Sequence, residues 1–283
     1  PEDVTAWTVF SASDKDAVLI DNQTTKVTVR RRGQHVIIAR FLNRAVPIQI
    51  NIPFNDNPVD LATAPRANFI DDEVLKTLTA LRLPVSPPAD DATFLRRAGL
   101  DLTGKLPSRN QVEKFLLDKD PEKRVRLIDD LLASEEFVDY WTLRLARHLR
   151  VHGLPGESAG VQAYTEWLRH GVERDEPLAS MARELITATG DAHSIGPANF
   201  GRMVNDARGH AELVGRFFLG VRLGCANCHN HPLDKWTQDD YHGLAAVFAR
   251  FERGRQVTLA TRGSVTNLRT GEPATPRIPG VRD

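Results

Sequence analysis

The chain has 283 residues and two cysteines, Cys225 and Cys228, which stand three positions apart with His229 directly after the second. Two cysteines placed at random would show that spacing in roughly one chain in 140, and a histidine next in line lowers the coincidence to about one in 4,000. Thiols so spaced and followed by an imidazole suit covalent attachment of a c-type haem, with two thioethers to the porphyrin and His229 as the proximal iron ligand. Two other chemistries use the same spacing. A structural zinc site would take Cys225, Cys228 and His231 with Asp234 close by, although zinc usually draws a second ligand pair from farther along the chain. A dithiol redox pair expects a neighbouring βαβ unit, and the residues before Cys225 have a helical pattern instead.

Haem chemistry depends on the sixth ligand. Both methionines, Met181 and Met203, precede the motif, so a methionine following it is excluded. His193 and Met203 flank the irregular Gly196–Phe200 stretch, and His242 follows the motif; these three are the distal candidates, beside an open five-coordinate iron. His148, His152 and His170 lie on helical stretches that could also reach it. His210 is expected on one helix running from Ala207 to Cys228, which puts it roughly 28 Å from His229 and excludes it. Trp236 is a candidate wall for the haem edge as well as a core residue. His231 is read as a propionate or metal contact, or as the side chain that fixes the turn before Pro232.

The elements that would position these residues change character near residue 55. Trp7–Phe10, Lys26–Arg30, His35–Phe41 and Val46–Ile52 have the β-rich composition and partial alternation of half-buried strands, separated by turn residues such as Asp21-Asn22 and Arg32-Gly33. Residues 55–88 hold five prolines around one helical pattern at Asp72–Leu81 and read as a linker. From Asp90 onward the pattern is helical. Ser108 and Gln111 form a capping box, with Val112, Phe115 and Leu116 on one face. Asp120-Pro121 reads as a helix start whose buried stripe is Val125, Ile128, Leu131 and Leu132. Ser134 opens a helix carrying Phe137, Trp141, Leu145 and His148. Further helices are expected over 161–172, 177–187 and 238–252, and Gln256–Ala260 with Ser264–Thr266 should form a hairpin. The fold class is therefore multidomain: a small all-β sandwich over 1–54, the linker 55–88, a mainly α-helical domain over 89–252 and a β tail over 253–283.

Composition narrows the partners. There are 37 basic and 37 acidic residues, a formal net charge of zero, so no bulk field draws the chain to nucleic acid or anionic lipid. Arg30-Arg31-Arg32 reads as a solvated strand end. No apolar run is long enough to span a bilayer. Pro1 begins without a charged and apolar leader. Haem attachment at such a motif belongs outside the cytoplasmic membrane, so the expectation is an exported protein, periplasmic or on the cell surface, whose leader has been removed.

Three separated stretches resemble one family: Phe94–Pro107, Lys123–Leu132, and Phe218–Pro232 with its continuation Asp234–Tyr241. They are similar to the planctomycete-type cytochrome domain, over about residues 70–280. Gly33–Ile52 resembles the last part of a bacterial Ig-like domain of group-2 type, a module often found upstream in such proteins, and the end of the chain looks like a junction to a further domain. The family takes its name from the C-x-x-C-H motif, and its biochemical role is poorly defined. The resemblance implies one covalent haem c on Cys225 and Cys228, His229 on the iron, and His231-Pro232 and Trp236 in the haem surroundings. The function expected is a monohaem electron carrier serving redox partner proteins, rather than a catalyst. The alternatives are an open-haem enzyme acting on a small oxidant and a zinc-stabilised structural or adhesive module. The Ig-like part is expected to lack a first strand, which leaves an edge either exposed in a monomer or covered by the C-terminal segment Gln256–Thr266 or by the same element of another copy, giving self-association.

Overall fold

A computed structural model describes residues 2–42, 44–152, 156–231 and 234–281. The chain forms two units, Pro1–Pro88 with His229–Trp236, and Ala89–Cys228 with Thr237–Asp283.

The first unit begins with a β region. Strands β1 (Val9–Ala12), β4 (Gly33–Phe41) and β5 (Arg44–Ile52) form an antiparallel sheet in the order β1-β4-β5, and β2 (Val18–Asp21) pairs with β3 (Lys26–Val29) as a hairpin. Ala17, Val18 and Ile37 are its buried centre, with Phe10, Ala12, Ile20, Val29 and Ile50 packed around them, so hairpin and sheet share one small core. Trp7 lies in a 3-10 turn, Thr5–Trp7, and not in a strand. Strand β2 had no clear alternation in the sequence. Within the 55–88 stretch, helix α1 (Phe69–Leu81) starts at an Asn68–Asp71 capping box and reaches β5's end through the Phe54 N–H on the Leu81 carbonyl, 2.9 Å.

The second unit is mainly helical: α2 (Asp91–Thr103), α3 (Arg109–Leu117), α4 (Lys123–Leu132), α5 (Glu135–His148), α6 (Ser158–Glu173), α7 (Leu178–Thr187), α8 (Ala207–Phe218) and α9 (Gln238–Val247). Side-chain caps set several of the starts: Asp90, Ser108, Ser134, Asp206 and Thr237 each accept an N–H of the first turn, worth about 1 kcal/mol apiece. At Asp120 the helix starts two residues later than expected. The Asp120 carboxylate accepts the Glu122 N–H, and α4 begins at Lys123.

The face α4 buries also differs from expectation. Lys123 and Arg124 both bond Asp91 of α2, at 2.6 and 2.7 Å, and their cationic ends lie 4.9 and 4.8 Å from the Phe115 and Phe94 ring centres. That pinning turns Leu127, Ile128 and Leu131 inward and leaves Val125 and Leu132 exposed. On α3, Phe115 is buried and Leu116 exposed. Two of the stretches that carry the family resemblance thus meet through Arg124 over Phe94, with Asp91 just before the first of them bonded to Lys123 and Arg124.

The Ala207–Cys228 stretch is not one helix. α8 stops at Phe218, Gly220 takes φ +65°, and the Val221 N–H returns to the Gly215 carbonyl at 2.9 Å. Glycine adopts that backbone without the Cβ clash. His210 and His229 are therefore not held apart along one straight helix. The 238–252 helix likewise ends early, at Val247, and the chain continues into β7 (Phe251–Arg253). β7 and β6 (Gly190–Asp191) flank β8 (Gln256–Leu259) in an antiparallel sheet. The expected hairpin of 256–260 with 264–266 is thus replaced by pairing with two strands from earlier in the chain. Gln256–Leu259 is thus the central strand of its own sheet, paired on both sides. Thr266 bridges Pro273 instead.

Candidate functional site

The motif begins one short loop after α8. Leu223, nearly inaccessible, packs toward Gly215, and a 3-10 turn covers Gly224–Asn227. The Ala226 N–H closes that turn on the Leu223 carbonyl at 2.8 Å, and the Ala226 side chain is 0% exposed. With Ala226 inward, Cys225 and Cys228 both face solvent as free thiols.

Helices α8 and α9 support the turn. Tyr241 of α9 donates to Glu212 of α8 at 2.8 Å. The Glu212 carboxylate lies against Gly224, within 3.5 Å of where a Cβ would stand. At the other end the Asn227 carbonyl faces the Gln238 amide at 3.3 Å and His242 Nε2 at 3.1 Å.

His229 is exposed, and its Nδ1 lies 2.7 Å from the Asn230 carbonyl. Nδ1 must donate there, which leaves the lone pair on Nε2, the tautomer a metal-ligating histidine uses. The His231 N–H donates to the Trp236 carbonyl at 2.8 Å, and the Trp236 indole donates to Asp234 at 2.8 Å with Lys235 over its ring. Pro232 lies outside the described residues.

The distal candidates occupy three different settings. His193 Nε2 meets Glu157 at 2.9 Å, and Arg202 meets the same carboxylate oxygen at 2.9 Å. The His193 hydrogen bond, followed by that of Arg202, holds the Glu157 carboxyl below its ordinary range. Met203 is buried at the end of the 3-10 segment Gly196–Met203. His242 is 0% exposed beneath the motif turn, and burial pushes its pKa down. The structure therefore brings His242 to the motif's backbone and places His193 in a charged network of its own. Of the remaining histidines, His148 lies near Phe217, with 6.2 Å between ring centres, and His152 Nδ1 faces the Arg150 carbonyl.

His210, set aside in the sequence, occupies an unusual place. It is 0% exposed, stacked on Phe248 at 4.0 Å and edge-on to Phe200 and Phe251 at 5.4 and 5.3 Å. Neither ring nitrogen has a hydrogen-bond partner. Gly201 admits this cage, since a Cβ there would stand 3.1 Å from the imidazole. The signal that could have found it is Leu219-Gly220, an apolar residue and a glycine at a helix end.

Among the described residues no cluster of three or more His, Cys, Asp and Glu side chains could hold a metal ion. A covalent haem asks for two accessible thiols and one imidazole with a free Nε2. The thiols and imidazole of this motif fit that requirement. A cavity of about 600 Å³ between α2, α3 and α4, lined in part by Leu95, Pro107, Phe115 and Lys123, includes no motif residue. No helix among the described residues is long and apolar enough to cross a membrane.

No curated protein and no solved structure matches the chain. Residues 69–253, about two thirds of its length, match the model of PSCyt2, a planctomycete-cytochrome-associated family described as a protein of unknown function, DUF1549, and the chain belongs to that family.

Proposed function

We propose that this protein is a monohaem c-type cytochrome module that relays single electrons between partner proteins outside the cytoplasmic membrane, in the periplasm or at the cell surface. The observation that carries the reading is the pair of free, solvent-facing thiols on a turn with Ala226 anchored inward. His229, next in the chain, supports it through the Nδ1 contact that leaves Nε2 for a metal. Cys225 and Cys228 would hold the haem covalently, His229 would ligate its iron, and His231 and Trp236 would lie in its surroundings. When bound, the group supplies one-electron chemistry. The chain's own part is to present the thiols, fix the His229 tautomer and supply the sixth position from His193, Met203 or His242. The β region is read, in the same proposal, as part of an Ig-like domain.

Intact mass under denaturing conditions tests the reading directly. The polypeptide should be heavier by one haem, and Cys225→Ala with Cys228→Ala should remove the added mass and the visible absorption together. An unmodified polypeptide with stoichiometric zinc would overturn it. Carbon monoxide then separates carrier from enzyme: slow or absent binding supports a six-coordinate carrier, and fast binding supports an open site acting on a small oxidant. Single substitutions of His193, Met203 and His242 should expose the sixth ligand as a shift to high spin.

A further inference from the structure

His242 lies beneath the motif turn with two contacts that compete. Its Nε2 is 3.1 Å from the Asn227 carbonyl, which can only accept, and 3.3 Å from the Leu268 N–H, which can only donate. One neutral nitrogen cannot serve both. If Nε2 accepted from Leu268, the proton would sit on Nδ1, which is buried and has no partner. That arrangement orphans a buried donor, at a cost comparable to a lost hydrogen bond. If Nε2 donates to Asn227, the orphan at Nδ1 is only a lone pair, and the Leu268 N–H that loses its acceptor belongs to an exposed residue. The second arrangement is therefore favoured, and burial keeps the ring neutral within it.

The Asn227 carbonyl then receives two donors from α9, His242 Nε2–H and the Gln238 amide at 3.3 Å. Glu212 lies beside the turn's other end at Gly224, and Ala226 is buried in its middle. Cys225 lies between these anchor points, and Cys228 directly follows the last of them. We infer that His242 is a positioning residue that locks the Cys225–Cys228 turn through the Asn227 carbonyl and so sets how the two thiols are presented. This deepens the haem-attachment reading and rests on it only for its purpose; the lock itself belongs to the polypeptide.

Amide hydrogen exchange on the haem-free polypeptide tests the lock, with His242→Leu removing the donor and His242→Gln restoring one near the Nε2 position. His242→Leu should speed exchange at Ala226, whose N–H closes the turn, by about fivefold, the factor that one net hydrogen bond represents. The Val221 amide, bonded to Gly215, should not change. The ratio of Cys225 to Cys228 alkylation by iodoacetamide should shift in the same variant, and His242→Gln should return both readings toward the parent protein. Gln238→Ala, which removes the weaker donor, gives a smaller shift of the same kind and serves if His242→Leu does not fold. Unchanged Ala226 exchange and alkylation ratio in folded variants would overturn the inference. A high-spin shift on His242 substitution without change in the haem-free polypeptide would also overturn it, since it would make His242 the iron's own ligand. Altered thiols in a protein that never carries haem would leave the lock standing and remove the cytochrome reading.

Discussion

Lowering the pH tests the His210 cage. The imidazole is held against Phe248 and between Phe200 and Phe251, with no polar partner for either nitrogen. Burial, and then the charge of Arg253, pushes its pKa from 6.5 down to about 3. The folded chain keeps His210 neutral at pH values where the unfolded chain already binds a proton. Above pH 6.5 the residue has no effect on pH dependence; as pH falls from 6.5 toward 3, only the unfolded state gains the proton and stability drops. One proton is worth about 1.4 kcal/mol per pH unit, so the loss reaches about 2 kcal/mol near pH 5. His210→Leu keeps an apolar side chain of similar bulk and removes the titration. Urea unfolding of both proteins between about pH 7.5 and pH 5 should show the parent losing about 2 kcal/mol more than the variant. Parallel curves would refute the reasoning, because they would mean that His210 gains its proton in the folded state as easily as in the unfolded one. A His210 NMR titration with an inflection near pH 6 would refute it independently.

Gly220→Ala should destabilise the second unit by about 1 kcal/mol, because φ +65° strains a residue with a Cβ; an unchanged urea midpoint would show that the turn relaxes instead. Asp191 is bonded through both oxygens by Arg255, at 3.0 and 2.9 Å, which, with the His193 N–H, holds its carboxyl well below the ordinary range. A carboxyl of that kind stabilises the fold above the unfolded-state pKa and loses the contribution as pH falls through the folded one. Arg255→Leu should therefore raise the Asp191 titration in carbon-detected NMR and make stability less sensitive to acid below about pH 4; an unmoved titration would show that the His193 N–H suffices. Strand β5 is the last strand of its sheet and exposes Val46 and Ile48. Self-association through that edge would make sedimentation depend on concentration, and Val46→Lys with Ile48→Lys would abolish the dependence. A single species at all concentrations refutes association by this route.

The local rules in the sequence determined a good deal. The spacing of Cys225, Cys228 and His229 is a covalent fact that no packing alters. Asn68, Asp90, Ser108, Ser134, Asp206 and Thr237 cap helices because each side chain satisfies an N–H within three residues of itself, and Gly104 and Gly220 end helices because only glycine takes positive φ without strain. The change from alternating to helical pattern near residue 55 followed from the same short-range periodicities. Tertiary structure decided the rest. β6 is two residues long and carries no periodicity, and it pairs with β8 across more than sixty positions where Ala192, Ala198 and Val257 share one buried cluster. The rotation of α4 was set by Asp91 on another helix, which overrode the apolar stripe through Val125 and Leu132. Whether a histidine joins an ion-pair network, sits caged in the core or meets a carbonyl fifteen positions away depends on which groups surround it. His193, His210 and His242 look alike in the sequence, and only the packing around each ring separates their chemistry.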